Sequence, residues 1–280
     1  MKKIKIHCPA KVNFALDVGE VKNGYHEINS VVSTISLADE IILKKRKDNK
    51  ITLKIKGFDV GCATHENNAY KSAELFINTY KTLGVDIILN KKIPVGGGLG
   101  GSSSDISGVL LGMKKLFGGN LDVKPLADRL GSDSTYLLEG GLAFISGRGE
   151  KVLKTHSDLK FYLIIVYSEQ ILSASKVYKE FDKQNLCFTA KAKSSRKAFI
   201  SGDSSLVIKN LKNDLYIPAK TLLPEIESNV TTLSNFAPTI MSGSGSAVFS
   251  LFTDKKERDN VYKQLKKLYN DKIIKTETIF

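Results

Sequence analysis

The amino-acid sequence predicts the α+β class, because alternating and three-to-four-spaced apolar patterns intermingle in both halves of the chain. A further observation marks a place for chemistry: one glycine- and serine-rich run stands between a strand and an amphipathic helix.

The elements follow in order. Ile4, Ile6 and Cys8 alternate with polar residues as a half-buried strand does, and residues 14–18 make a second strand. Asn23-Gly24, inside residues 20–26, is a hairpin or loop signal. Residues 31–36, 40–45 and 50–56 are strand-like, so the first ninety residues are mostly sheet. A helix is predicted over 67–81, where Tyr70, Ala73, Phe76, Ile77 and Tyr80 share a face. Residues 85–91 return to strand. Beyond the glycine run, Ile106, Val109, Leu110, Met113, Leu116 and Phe117 repeat at helical spacing until Gly118-Gly119-Asn120 stops them. Asp122 caps a short helix through Val123, Leu126, Ala127 and Leu130 that ends at Gly131.

Residues 142–146 and 161–166 read as strands. Residues 184–202 have a polar middle and weak periodicity, and are predicted to be mobile or irregular. Helices are predicted over 203–212 and 224–236, and a strand at Ala247, Phe249 and Leu251. Asp254 and Glu257 open a helix carrying Val261, Leu265 and Leu268, and Ile274, Thr276 and Thr278 form a last strand. The chain divides, on this reading, near residue 155 into domains 1–155 and 156–280.

Of the 280 residues 42% are hydrophobic, enough for a packed core. The net charge is +13, yet only five of the 42 basic residues are Arg: Arg46, Arg129, Arg148, Arg196 and Arg258. A nucleic-acid surface favours Arg and stacking aromatics, so no nucleic-acid partner is expected. The lysines form a solvated surface, steer a polyanionic ligand, or do both. Cys8, Cys62 and Cys187 are widely spaced and match no disulfide or zinc pattern, which fits a cytoplasmic protein. No apolar run is long enough for a signal peptide or a membrane span.

Residues 93–105 read Ile-Pro-Val-Gly-Gly-Gly-Leu-Gly-Gly-Ser-Ser-Ser-Asp. Five glycines in six positions let the backbone approach a ligand closely. The helix behind them offers unpaired amides and the positive end of its dipole, a seat for phosphate. Ser102, Ser103 and Ser104 add hydroxyl donors, and one of them can ligate Mg²⁺. No Walker lysine follows the glycines, and the protein-kinase signatures are absent. Gly96, Gly98 and Gly101 match a dinucleotide fingerprint, but the acidic residue at the right spacing, Asp122, starts a helix and does not end a strand.

Further motifs accompany the loop: Pro-Ala-Lys-Val-Asn at 9–13, Gly-Tyr-His-Glu at 24–27, and Glu-Asn-Asn-Ala-Tyr-Lys-Ser-Ala-Glu at 66–74. Gly-Ser-Asp follows at 131–133, Gly-Arg-Gly-Glu at 147–150, Asn-Asp at 213–214 and Met-Ser-Gly-Ser-Gly-Ser at 241–246. In this order and spacing they resemble the GHMP kinase superfamily over nearly the whole chain. Within it they are similar to the branch acting on a cytidine diphosphate-linked methylerythritol in the non-mevalonate route to isoprenoids.

The resemblance implies an N-terminal ribosomal-S5-like domain and a C-terminal ferredoxin-like domain. It implies an ATP-dependent transferase using Mg²⁺, a small-molecule alcohol as substrate, and a monomer or homodimer. Lys11 and Asp133 match the catalytic pair. Pro94, Val95, Gly96, Gly97, Gly98, Leu99, Gly100, Gly101, Ser102, Ser103 and Ser104 match the ATP loop, and Asn67 a position near the adenine. Asn13, Tyr25 and His26 match substrate-holding positions, His26 on the cytosine. Phosphoryl transfer needs a proton acceptor and cations on the phosphate oxygens, and Asp133 and Lys11 supply those residue types. Other alcohols of the superfamily, such as homoserine or mevalonate, and a non-catalytic nucleotide-binding role are the alternatives.

The chain departs from the family pattern in places. Ser132, Ser134 and Thr135 flank Asp133 where Ala, Val and Pro are usual, which puts the rigidity of that loop in question. Val32 stands where the family often has an aromatic, and Tyr167-Ser168 where a proline is common.

Overall fold

The computed structural model describes residues 3–22, 24–184 and 190–280. Asn23 of the predicted hairpin, Cys187 and part of the predicted irregular segment lie outside the described residues. The chain forms two compact units, each assembled from separate stretches: Met1–Ala10, Leu37–Val95 and Gly100–Gly140 in one, and Lys11–Ser36, Gly96–Leu99 and Gly141–Phe280 in the other.

Two long strands, β1 (Lys3–Lys22) and β2 (Tyr25–Lys45), contribute residues to both units. In the first unit β3 (Ile51–Gly57) runs parallel to β4 (Val85–Lys91), with Ile51 opposite Val85. The end of β2 runs antiparallel to β4, with Glu40 opposite Asn90 and Lys45 opposite Val85. Three helices, α1 (Asn68–Tyr80), α2 (Gly101–Phe117) and α3 (Lys124–Leu130), share one buried core with these strands. Phe76 on α1 and Val109, Leu110 and Met113 on α2 meet Ile41, Leu43, Ile87 and Leu89 in it. The single-turn helix α4 (Ser134–Leu137) closes the unit.

The second unit continues with β5 (Leu142–Gly147), β6 (Lys151–Lys154), β7 (Tyr162–Val166), α5 (Ala174–Lys183), α6 (Ala192–Ile200), α7 (Ser204–Lys209) and β8 (Lys212–Asn213). It ends with α8 (Tyr216–Leu222), α9 (Glu225–Ser234), β9 (Thr239–Met241), β10 (Val248–Phe252), α10 (Lys255–Tyr269) and β11 (Ile273–Ile279). Strand β7 lies antiparallel between β10 and β11, and β9 extends the sheet beyond β10. The first part of β2 pairs with β5, Ile28 opposite Gly147, and Ala15 of β1 lies parallel to Lys212 of β8. The buried core of this unit joins Leu16, Ile164, Val248 and Ile273 to Val177, Ile226 and Leu265 on helices. Among the described residues, no helix is long and apolar enough to cross a membrane.

The α+β class is borne out, and two expectations need correction. The short strands at 4–8 and 14–18 are one strand, as are those at 31–36 and 40–45. Residues 10–18 are all buried, so β1 has no solvent-facing period to mark its course.

Residues 192–200, within the segment expected to be irregular, form helix α6. Its stabilisation is tertiary. The Asp17 carboxylate accepts the amides of Lys191 (2.9 Å) and Ala192 (2.8 Å) at the helix start. The ring of Phe199 packs edge-on against Phe14 at 4.9 Å and Phe161 at 5.9 Å. A carboxylate 174 residues away in sequence is not visible to a local pattern. Helices α5 and α8 were not expected either.

Truncating Asp17 leaves two amides without their charged acceptor. Asp17→Ala is expected to lower unfolding free energy by about 2–4 kcal/mol, measured by urea denaturation. A loss under about 0.5 kcal/mol would mean that α6 stands without this cap.

Candidate active site

The glycine run is held by other parts of the chain through its carbonyls. The Gly96 carbonyl accepts the Ser246 amide (3.1 Å) and the Gly97 carbonyl the Ala247 amide (3.2 Å). The Ser242 hydroxyl donates to Gly98 O (3.2 Å) and the Lys11 amide to Leu99 O (2.9 Å). Four successive carbonyls are thus consumed by two of the sequence motifs, 9–13 and 241–246, and by Ala247 next to the second. Among the described residues, none accepts a hydrogen bond from the amides of Gly98 to Ser103. The run therefore presents unpaired N–H groups that continue into the first turn of α2.

Gly98 shows why the residue type matters. Its φ is +69°, and a Cβ there would sit 2.2 Å from Ser242 O. The Ser242 segment is itself held from behind. Asn213 Nδ2 donates to Met241 O and Gly243 O, both at 2.8 Å, and Asn213 Oδ1 accepts the Leu215 amide at 2.9 Å. Its neighbour Asp214 accepts the Val18 amide at 3.0 Å. The Asn-Asp motif is a bracket for the loop.

Lys11 and Asn13 are buried on β1. The Lys11 ammonium donates to Asn13 Oδ1 at 2.7 Å. Asn13 Nδ2 donates to Ser30 Oγ (2.8 Å), which donates to Ala15 O (2.6 Å). Both polar ends of Asn13 are engaged within the protein, so its geometry serves the lysine.

In the first unit the three serines separate in role. Ser104 is buried and its hydroxyl donates to Pro9 O at 2.8 Å. Ser102 is exposed and accepts from Asn68 Nδ2 at 2.5 Å, and Ser103 is half-buried. Asn67 caps α1, its Oδ1 accepting the Ala69 amide at 2.9 Å.

Asp133 is half-buried and starts α4 without capping it through its side chain. Where the proline is missing, two hydrogen bonds tie this turn down. The Ser134 amide donates to Gly131 O (3.1 Å), and the Ser107 hydroxyl on α2 lies 2.8 Å from Ser134 O.

Tyr25 and His26 lie at the start of β2. Tyr25 is 59% exposed, with the Arg148 guanidinium 5.3 Å from its ring centroid. His26 is more enclosed: Nδ1 lies 2.8 Å from Gly19 O and Nε2 2.9 Å from Asp182 Oδ1. Tyr178 on α5 stacks on the imidazole, centroids 5.3 Å apart and planes 22° from parallel. Val32, set where the family often has an aromatic, has no exposed surface and packs in β2 opposite Ala143. The aromatics near His26 are instead Tyr178 and Phe181 of α5, the latter edge-on at 5.6 Å. Sequence reading passed over Tyr178 and Asp182 because α5 was not expected; the spacing of Val177 and Phe181 was the available signal.

Comparisons with known proteins agree on one family. Residues 67–143 match the model of the GHMP kinases N terminal domain and residues 195–271 that of the GHMP kinases C terminal. A 4-diphosphocytidyl-2-C-methyl-D-erythritol kinase of Clostridium beijerinckii is 36% identical over 99% of this chain and 100% of its own length. Its counterpart in Macrococcus caseolyticus is 34% identical over 93% of this chain and 94% of its own. A crystal structure of a 4-(cytidine 5'-diphospho)-2C-methyl-D-erythritol kinase superposes with a TM-score of 0.82 at 27% identity, covering 98% of this chain and 99% of that one. A homoserine kinase from Cytophaga hutchinsonii shares the fold alone, with a TM-score of 0.77 at 18% identity over 100% of this chain and 95% of that one.

Placing a methyl group at Gly98 strains the backbone and strikes Ser242 O together. Gly98→Ala is expected to weaken ATP binding by at least about tenfold, read by calorimetry, in a protein that still folds. Unchanged affinity would mean that the loop does not contact the nucleotide in this conformation.

Proposed function

This chain belongs to the 4-diphosphocytidyl-2-C-methyl-D-erythritol kinase family of GHMP kinases, and we propose that it transfers the γ-phosphoryl group of ATP to the 2-hydroxyl of 4-diphosphocytidyl-2-C-methyl-D-erythritol, a step of non-mevalonate isoprenoid synthesis. The observation that carries the kinase reading is the glycine run, whose carbonyls are consumed by the protein and whose amides from Gly98 to Ser103 are unpaired. Oriented amides at a helix start favour anionic oxygens and need no reorganisation when charge moves. Identities of 36% and 34% over 99% and 93% of this chain to kinases of that name support the substrate.

In this reading each polar group has one task. The substrate hydroxyl gives its proton to Asp133 as its oxygen attacks the γ-phosphorus and ADP leaves. The Lys11 ammonium, aimed by Asn13, offsets charge on the moving phosphoryl group. His26 and Tyr178 offer a flat aromatic face and polar ring nitrogens suited to a pyrimidine. The half-exposed Asp182 yields its place on Nε2 to the base. Asn67 keeps its cap, and its amide nitrogen would exchange its long 4.0 Å contact with Cys62 Sγ for the adenine.

Mg²⁺ fits the donor set. Magnesium prefers oxygen ligands and completes its shell with phosphate and water. Ser102 and Ser103 carry accessible hydroxyls at the loop's end, whereas Ser104 is committed to Pro9. Bound there, the ion would neutralise phosphate charge.

Purified protein with ATP and Mg²⁺ is expected to release ADP with the cytidyl alcohol and not with homoserine or mevalonate. The opposite preference would refute the substrate assignment. Asp133→Asn is expected to lower kcat by at least about a hundredfold while calorimetry shows ATP still bound. Parallel loss of turnover and nucleotide binding would make Asp133 a structural residue.

A further inference from the structure

The strand leading into the glycine run and the helix leaving it are joined by a buried ionic cluster, of which only Asp105 lies in a sequence motif. Lys91, the last residue of β4, donates to Asp39 of β2 and, at 2.8 Å, to Asp105 Oδ2 in the second turn of α2. Asp39 Oδ1 also accepts the amides of Lys92 (2.5 Å) and Ile93 (2.8 Å), the two residues before Pro94. All three side chains are at most 6% exposed. A Cβ on Gly101 would lie 3.3 Å from the Lys91 ammonium, so the cation sits against the first residue of α2.

We propose that Lys91 is a positioning residue for phosphoryl transfer: held between Asp39 and Asp105, it fixes the spacing between the strand end that feeds the glycine run and the helical turn that receives the phosphates. The proposal rests on the kinase reading above. A buried cation between two carboxylates is a costly device if packing alone is required, since apolar side chains would fill the volume as well. What ions add is geometry. Lys91 binds one carboxylate on each side of the loop, and Asp39 extends the same hold to the backbone at 92 and 93.

Burial opposes the Lys91 cation, but Asp105 and Asp39 outweigh it and raise its pKa, so the group that joins the two carboxylates keeps its charge.

The test compares wild type, Lys91→Met and Asp105→Asn by three readouts: ADP affinity by calorimetry, KM for each substrate with kcat, and urea stability. Lys91→Met is expected to raise the ADP Kd and the ATP KM by at least about tenfold, with kcat and the KM of the cytidyl alcohol within about threefold. Asp105→Asn keeps the side-chain volume but removes one of the two charges that hold Lys91, and is expected to raise the ADP Kd by at least about threefold. A Lys91→Met protein with wild-type nucleotide affinity, or one losing kcat alone, would overturn the proposal. So would an Asp105→Asn protein with the ADP Kd of wild type, which decides the matter if Lys91→Met does not fold. If wild type binds ADP but does not turn over the cytidyl alcohol, the substrate reading fails, and the ADP titrations still judge Lys91.

Discussion

The site depends on which way four peptide groups face. The carbonyls of Gly96, Gly97, Gly98 and Leu99 are bound by Ser246, Ala247, Ser242 and Lys11, and this fixes the peptide planes. A peptide whose oxygen is held by the protein must direct its N–H elsewhere. The amides from Gly98 onward are left without protein acceptors and run into a helix start, where the dipole adds to them. Glycine is required for this at Gly98, where the backbone is left-handed and the nearest carbonyl leaves no room for a side chain.

Much of the remaining sequence serves that arrangement. Asn213 fixes the carbonyls at Met241 and Gly243, and with them the segment that grips the loop. Asn13 and Ser30 fix the ammonium of Lys11, whose own amide is one of the four donors. Residues that look like separate motifs are therefore links in one hydrogen-bond chain. A break at Asn213 would reach the phosphate seat through Ser242, although Asn213 need touch no ligand.

The loop and its following helix were legible in the sequence because glycine content and helical periodicity are local properties. The strands were legible as fragments. β1 was seen as two pieces because residues 10–18 are buried on both faces and show no alternation. Helix α6 was invisible, since its start is capped by Asp17 and its face is held by Phe14 and Phe161, all distant in the chain. The same cause hid the partners of His26. Val32 was compared with a family aromatic by position along the chain, whereas Tyr178 reaches the imidazole from another element. The Asp39, Lys91 and Asp105 cluster also left no local trace, because lysines are common in this sequence and burial is a property of the fold.

Phosphate binding at this site is the work of the loop amides. Backbone NMR of the protein titrated with a non-hydrolysable ATP analogue reads them one by one. The amide resonances of Gly98 to Ser103 are expected to shift most and to become protected from hydrogen exchange at saturation. Saturable binding that leaves those amides unshifted and unprotected would mean that the phosphates sit elsewhere.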